Sequence, residues 1–118
     1  MRPGTMYDQG EVVLIPFPYS DLSENKKRPA LIISNGLINQ SEDRICCLIT
    51  RNFRKGDLPI KTNNFQTGKL PFKSFVRPQR IFTIHNAIIK KKLCKINGEF
   101  HREVISKLNE YIELNENN

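Results

Sequence analysis

Carboxylates are scarce over most of this sequence. The first 98 residues hold seven acids against seventeen bases, whereas the stretch from Glu99 onward holds five acids against two bases. The net charge of +7 is thus the balance of a body at +10 and a tail at −3. A basic body suits a polyanion binder, because each phosphate neutralised releases condensed counterions. Cysteine is also scarce. There are three, an odd number, and Cys46 and Cys47 are neighbours that a strand sends to opposite faces. With no C-x-x-C pair and no His and Cys cluster, a disulfide framework and a zinc site are both unexpected. No apolar run approaches the roughly 20 residues of a membrane span, and the N-terminus Met-Arg-Pro-Gly-Thr-Met carries no run of signal length. The expectation is a cytoplasmic protein without a membrane partner. Gly-rich phosphate cradles, carboxylate clusters with metal-ligand spacing and a Ser-His-Asp order are missing as well, so no cofactor and no metal are expected.

What is present is a dense β pattern within a length that fits a single domain over residues 1–118. Val12 to Ile15 and Ala30 to Ile33 are short apolar runs rich in β-branched residues, and they read as two antiparallel buried strands. Between them lies a polar loop opened by Pro16 and Pro18, which deny the ladder a donor. Arg28 closes the loop, and Pro29 holds it in an extended conformation. Arg44 to Thr50 reads as a third strand, and Leu58 to Lys61 as a short edge strand. Asn35-Gly36 and Lys55-Gly56-Asp57 read as turns, and Thr62 to Lys69 as a loop. Ser74 to Arg77 and Arg80 to Ile84 read as two strand pieces broken by a bend or bulge at Pro78. His85 to Lys92 is ambiguous. Phe100, Val104, Ile105, Leu108, Tyr111 and Ile112 then form one apolar helical stripe, with Asn97 as N-cap and Glu99 and Glu103 near the positive end of the helix dipole.

Four segments in this order carry a resemblance: Gly10-Glu-Val-Val-Leu-Ile-Pro-Phe-Pro, Arg28-Pro-Ala-Leu-Ile-Ile, Ile49-Thr50, and Phe75-Val-Arg-Pro-Gln-Arg-Ile-Phe-Thr-Ile84. Together they are similar to the toxin subunits of the MazF/PemK-like family of type II toxin-antitoxin systems. The resemblance implies a mainly β protein, a small SH3-like β-barrel with a C-terminal helix, forming a homodimer. It also implies a metal-independent endoribonuclease that cuts single-stranded RNA and is silenced by a cognate acidic antitoxin, whose complex with the toxin binds DNA.

The resemblance also implies roles. Arg28 falls at the family's catalytic arginine, where a guanidinium can grip the scissile phosphate. Thr50 falls where a Ser or Thr sits beside that arginine, and Arg77 matches a third catalytic position. Two places after Arg77 some members carry an acid, and this chain has Gln79, which hydrogen-bonds but accepts no proton. The acid/base candidates that remain are Asp21 and Glu24 in the first loop. Lys26, Lys27, Arg51, Arg54, Gln79 and Arg80 are candidate RNA contacts, and His85 and His101 read as structural. Two rivals share the fold: a gyrase poison such as the CcdB group, acting through the C-terminal helix, and a catalytically silent binding module, made credible by Gln79.

Overall fold

The computed structural model describes residues 6–16 and 26–116. Among them, seven strands form one sheet: β1 (Glu11–Pro16), β2 (Lys27–Ile32), β3 (Asp43–Thr50), β4 (Leu58–Pro59), β5 (Phe65–Thr67), β6 (Phe75–His85) and β7 (Lys91–Ile96). Their order across the sheet is β4-β6-β3-β2-β1-β7-β5, and every pairing is antiparallel. The sheet curls as a half-barrel, and a helix, α2 (Gly98–Ile112), follows the last strand. The mainly β architecture with a C-terminal helix is therefore the one expected.

Continuous apolar runs mark strands that are covered on both sides, and the core shows why the runs are continuous here. Val12, Leu31, Cys47, Ile49 and Val76 join Phe100, Val104 and Leu108 of α2 in one cluster. Val13, Ile15, Ala30, Ile32, Cys46 and Ile89 form another. Neighbouring residues feed opposite faces, as alternation requires. Cys46 and Cys47 follow the same rule, and burial pushes both thiols up to about 12, so they are inert hydrophobes at neutral pH.

Four expectations need revision. Asn35-Gly36 opens a single helical turn, α1 (Gly36–Asn39), because the Asn35 side chain accepts the Leu37 N–H and caps it. Thr62 to Lys69 is not all loop; it holds one 3₁₀ turn at Thr62–Asn64 and the edge strand β5. The ambiguous stretch resolves into a 3₁₀ turn at Asn86–Ile88, capped by His85 Nδ1, and the start of β7. Residues 75–85 form one strand rather than two. Its register against β3 slips between Cys47 and Leu48, which puts Pro78 to Arg80 out of step. The bulge predicted at Pro78 is present, and the strand continues through it. On α2, Phe100, Val104 and Leu108 are buried, whereas Tyr111 and Ile112 at the last turn are exposed.

Candidate active site

Arg28, Thr50 and Arg77 lie toward one end of the sheet, where β2 and β6 begin and β3 ends. The last β2–β3 pair is Ala30 with Leu48. Two residues further toward that end lie Arg28 on β2 and Thr50 on β3, the first opposite Ile15 and the second opposite Phe75. Cross-strand partners share a face. Ile15 and Ala30 belong to the cluster on the side away from α2, so Arg28 and Thr50 are set on that side as well. Arg28 is half-buried, and Lys26 and Lys27 before it are exposed.

Beyond Thr50 the chain makes a turn that is pinned by its own groups. Thr50 Oγ1 accepts the Asn52 N–H at 3.1 Å, a local side-chain turn that a hydroxyl favours. The Asp57 N–H donates to the Arg54 carbonyl at 2.9 Å, and Asp57 Oδ2 accepts the Arg54 N–H at 2.8 Å. Gly56 has φ +96, a conformation glycine adopts without strain, and a Cβ there would meet the Tyr111 hydroxyl at 3.0 Å. The turn is thereby held in shape while the Arg51, Arg54 and Lys55 side chains remain exposed.

The strongest fastener is Arg77. Its Nε donates to Asp57 Oδ1 at 3.0 Å and its Nη2 to Asp57 Oδ2 at 2.9 Å, a bidentate pair between two buried side chains. Nη2 also donates to the Asn52 carbonyl at 3.1 Å. Burial pushes the Asp57 carboxyl up, but the hydrogen bonds from Arg77 and the Arg54 N–H outweigh it and hold the group below its usual range. Arg77 is raised in turn by the hydrogen bond to Asp57. A carboxylate held low and occupied on both oxygens is a poor proton acceptor. The structure thus gives Arg77 the place of a fastener under the turn.

Gln79 and Arg80 are exposed in the out-of-step part of β6. Asp21 and Glu24 lie outside the described residues. Sequence reasoning took Asp57 only as part of a turn. The signal that could have found it is that Asp57 is the sole acid between Asp43 and Glu99. A lone carboxylate among so many bases has a choice of partners, and one that is buried needs a partner. Phe53 and Phe72 were missed as well. Both are large and exposed beside the turn; Phe53 meets Phe75 edge-on at 5.2 Å, and Arg51 lays its guanidinium over Phe72 at 4.0 Å.

Fold and site together describe a small basic β protein with an arginine, a hydroxyl and a pinned cationic turn at one end of a curled sheet. The chain belongs to the PemK-like, MazF-like toxins of type II toxin-antitoxin systems, whose family model matches residues 8–112. No curated protein matches it by sequence. Among solved structures it is similar to an endoribonuclease in complex with its cognate antitoxin from a mycobacterial species, at 17% identity and a TM-score of 0.74, with 92% of this chain and 97% of that one covered. A MazE-MazF complex from Deinococcus radiodurans gives 17% identity and a TM-score of 0.70 over 92% and 97% of the two chains. The Mycobacterium tuberculosis toxin MazF-mt6 gives 15% and 0.69 over 89% and 98%.

Proposed function

We propose that this protein is the toxin of a toxin-antitoxin pair and acts as a metal-independent, sequence-specific endoribonuclease on single-stranded RNA. The observation that carries the reading is that Arg28 near the start of β2 and Thr50 at the end of β3 lie on one face, each two residues beyond the last β2–β3 pair, beside a pinned turn that displays Arg51 and Arg54. Arg28 grips the scissile phosphate and stabilises the charge that grows on its oxygens. The substrate's own 2′-OH is the nucleophile. Its oxygen bonds to phosphorus, the P–O5′ bond breaks, the 2′ proton passes to a base and the departing O5′ takes up a proton. The products are a 2′,3′-cyclic phosphate, or the 3′-phosphate after hydrolysis, and a 5′-hydroxyl. Thr50 orients the phosphate or the 2′-OH by hydrogen bonding. Asp21 and Glu24 are the acid/base candidates, since the Gln79 amide neither takes up nor gives up a proton at neutral pH and Asp57 is engaged by Arg77. Arg77 works as a positioning residue, and Lys26, Lys27, Arg51, Arg54 and Arg80 contact phosphates without reading sequence.

The partner that fits the basic face is an acidic, partly disordered antitoxin segment that folds on binding. The working form is a homodimer in the cytoplasm. The test is incubation of purified protein with a long single-stranded RNA in EDTA, followed by analysis of the new ends. Discrete cuts with 5′-hydroxyl ends are expected. A need for added magnesium would overturn the metal-free chemistry. Failure to cut any RNA would favour the silent module, the reading that Gln79 supports.

A further inference from the structure

We propose that the groove between β4 and the loop before β6 is a nucleotide subsite that holds bases flanking the cut, an inference that rests on the ribonuclease reading. The groove has a volume of about 610 Å³, within the roughly 300–1,000 Å³ of sites that hold small organic ligands. Lys61, Lys69 and Lys73 line it together with Phe65, Leu70 and Phe72, and no acid is among its lining residues. Charge therefore favours a polyanion, while the aromatic component favours an unstacked base.

The two components meet at Phe72. This side chain is 56% exposed at the groove, and the Arg51 guanidinium lies over its ring at 4.0 Å. Arg51 directly follows Thr50, and Ser74 at the groove directly precedes Phe75, the residue opposite Thr50, so the groove borders the strand ends that carry the proposed cleavage point. A guanidinium on an aromatic ring offers a second flat, cationic platform, and such platforms are what splayed single-stranded bases stack on. The loop is also built in advance. At one end Gly68 has φ +67 and runs so close to β7 that a Cβ would meet Cys94 Cβ at 3.1 Å. At the other, Ser74 Oγ donates to the Phe72 carbonyl at 2.8 Å, and the Ser74 carbonyl accepts the Ile60 N–H at 3.0 Å. Little ordering remains when a strand arrives, which favours affinity.

The test uses the intact protein and a pool of fluorescent single-stranded oligoribonucleotides, 2′-O-methylated so that no 2′-OH can attack, with binding read by anisotropy over a salt series. Phe72→Ala should weaken binding by about fivefold or more, the lower end of what removing one base-stacking platform costs, and should leave the salt slope unchanged. Phe72→Tyr should bind as the parent does. Replacing Lys61, Lys69 and Lys73 together by serine should lower the slope of log K against log salt by about 0.7 for each phosphate no longer neutralised. Parental affinity in Phe72→Ala would overturn the subsite, as would an unaltered salt slope in the lysine variant. Parental oligonucleotide binding by Phe72→Ala, combined with abolished binding of the acidic antitoxin segment, would assign the groove to protein and overturn it too. If the protein binds the pool and the variants respond as stated but natural RNA is never cut, the subsite stands and the ribonuclease reading falls.

Discussion

The two ends of β3 each rest on a buried arginine, and the two are buried in different company. Arg44, near the start of the strand, is fully enclosed. It donates from Nε to the Tyr7 carbonyl at 2.7 Å and from Nη1 to the Ser41 and Asp43 carbonyls at 2.9 and 2.7 Å. Arg77, opposite Leu48 toward the other end, is held by a carboxylate and a single carbonyl. The difference lies in what each one fixes. Arg44 ties a distant N-terminal segment to the turn before β3, so its bonds serve the fold. Arg77 and Asp57 fix the turn after β3, and that turn displays Arg51, Arg54 and Phe53. The Arg44 bonds to carbonyls join backbone to backbone and display nothing. Where a cationic turn must keep its shape beside other cations, a buried anion also offsets their repulsion.

The largest effect is expected at the Arg44 end. Arg44→Met leaves three part-buried carbonyls without their donor, and an unsatisfied acceptor costs about 1–3 kcal/mol where water cannot reach it. A loss of about 3 kcal/mol or more in urea unfolding is expected, with RNA cleavage lowered only in proportion to the folded fraction. Single changes at the other end should also be costly. Asp57→Ala leaves a buried guanidinium uncompensated, for about 3 kcal/mol. The double variant Asp57→Leu with Arg77→Met should recover most of that stability, because well-packed apolar pairs often replace buried ion pairs without loss. The Arg54 N–H and the Asn52 carbonyl still lose their partners, so the turn loosens and RNA binding should fall. A stable double variant that binds and cuts like the parent would show that Arg77 positions nothing.

Next in size is Arg28→Ala, expected to lower the single-turnover cleavage rate of the folded protein by about 10²-fold, the scale of one removed oxyanion donor. Lys26→Ala with Lys27→Ala should instead weaken binding in a salt-dependent way. If Arg28→Ala cleaves at the parental rate while the double lysine variant is dead, the arginine belongs with the docking charges. Smaller again is Thr50→Val. It removes the acceptor for the Asn52 N–H, so a stability loss of about 1 kcal/mol is expected with slower cleavage.

Much of this was legible beforehand, and what was not has physical causes. β1, β2 and β3 announce themselves because both faces are buried, which leaves uninterrupted apolar runs. β7 hid behind Lys91, Lys92 and Lys95, which interrupt its apolar pattern, and the Lys92 ammonium pairs with Glu11 on the neighbouring β1. β5 hid because it is a short edge strand that, among the described residues, pairs only with β7. Arg28 and Thr50 stand out only through family resemblance, since no local pattern distinguishes them from an ordinary surface arginine and an ordinary strand threonine. The Asp57 to Arg77 pair joins residues far apart in sequence, and only the register of β4 on β6 brings them opposite one another.

The smallest predicted effect tests the two ends of β3 through pH. The depressed Asp57 carboxyl gives stability that is fully present above its unfolded value and is lost as pH falls through the lower folded one. Acid unfolding below the ordinary carboxylate range should therefore be blunted in the Asp57→Leu with Arg77→Met variant. A second group moves with the same sign at higher pH. His101 on α2 is lowered by burial and by neighbouring Arg102, and its Nδ1 is buried without a hydrogen-bond partner among the described residues. In the unfolded chain it takes up a proton first as pH falls, so its contribution is full above the ordinary imidazole value and fades as pH drops through the folded one. Urea midpoints measured from pH 8 to pH 3 should then fall in two stages. His101→Gln should remove the upper stage and the paired replacement at 57 and 77 the lower one. If His101→Gln also abolished the lower stage, the acid sensitivity would belong to the helix, and the Arg77 end of β3 would not depend on its carboxylate.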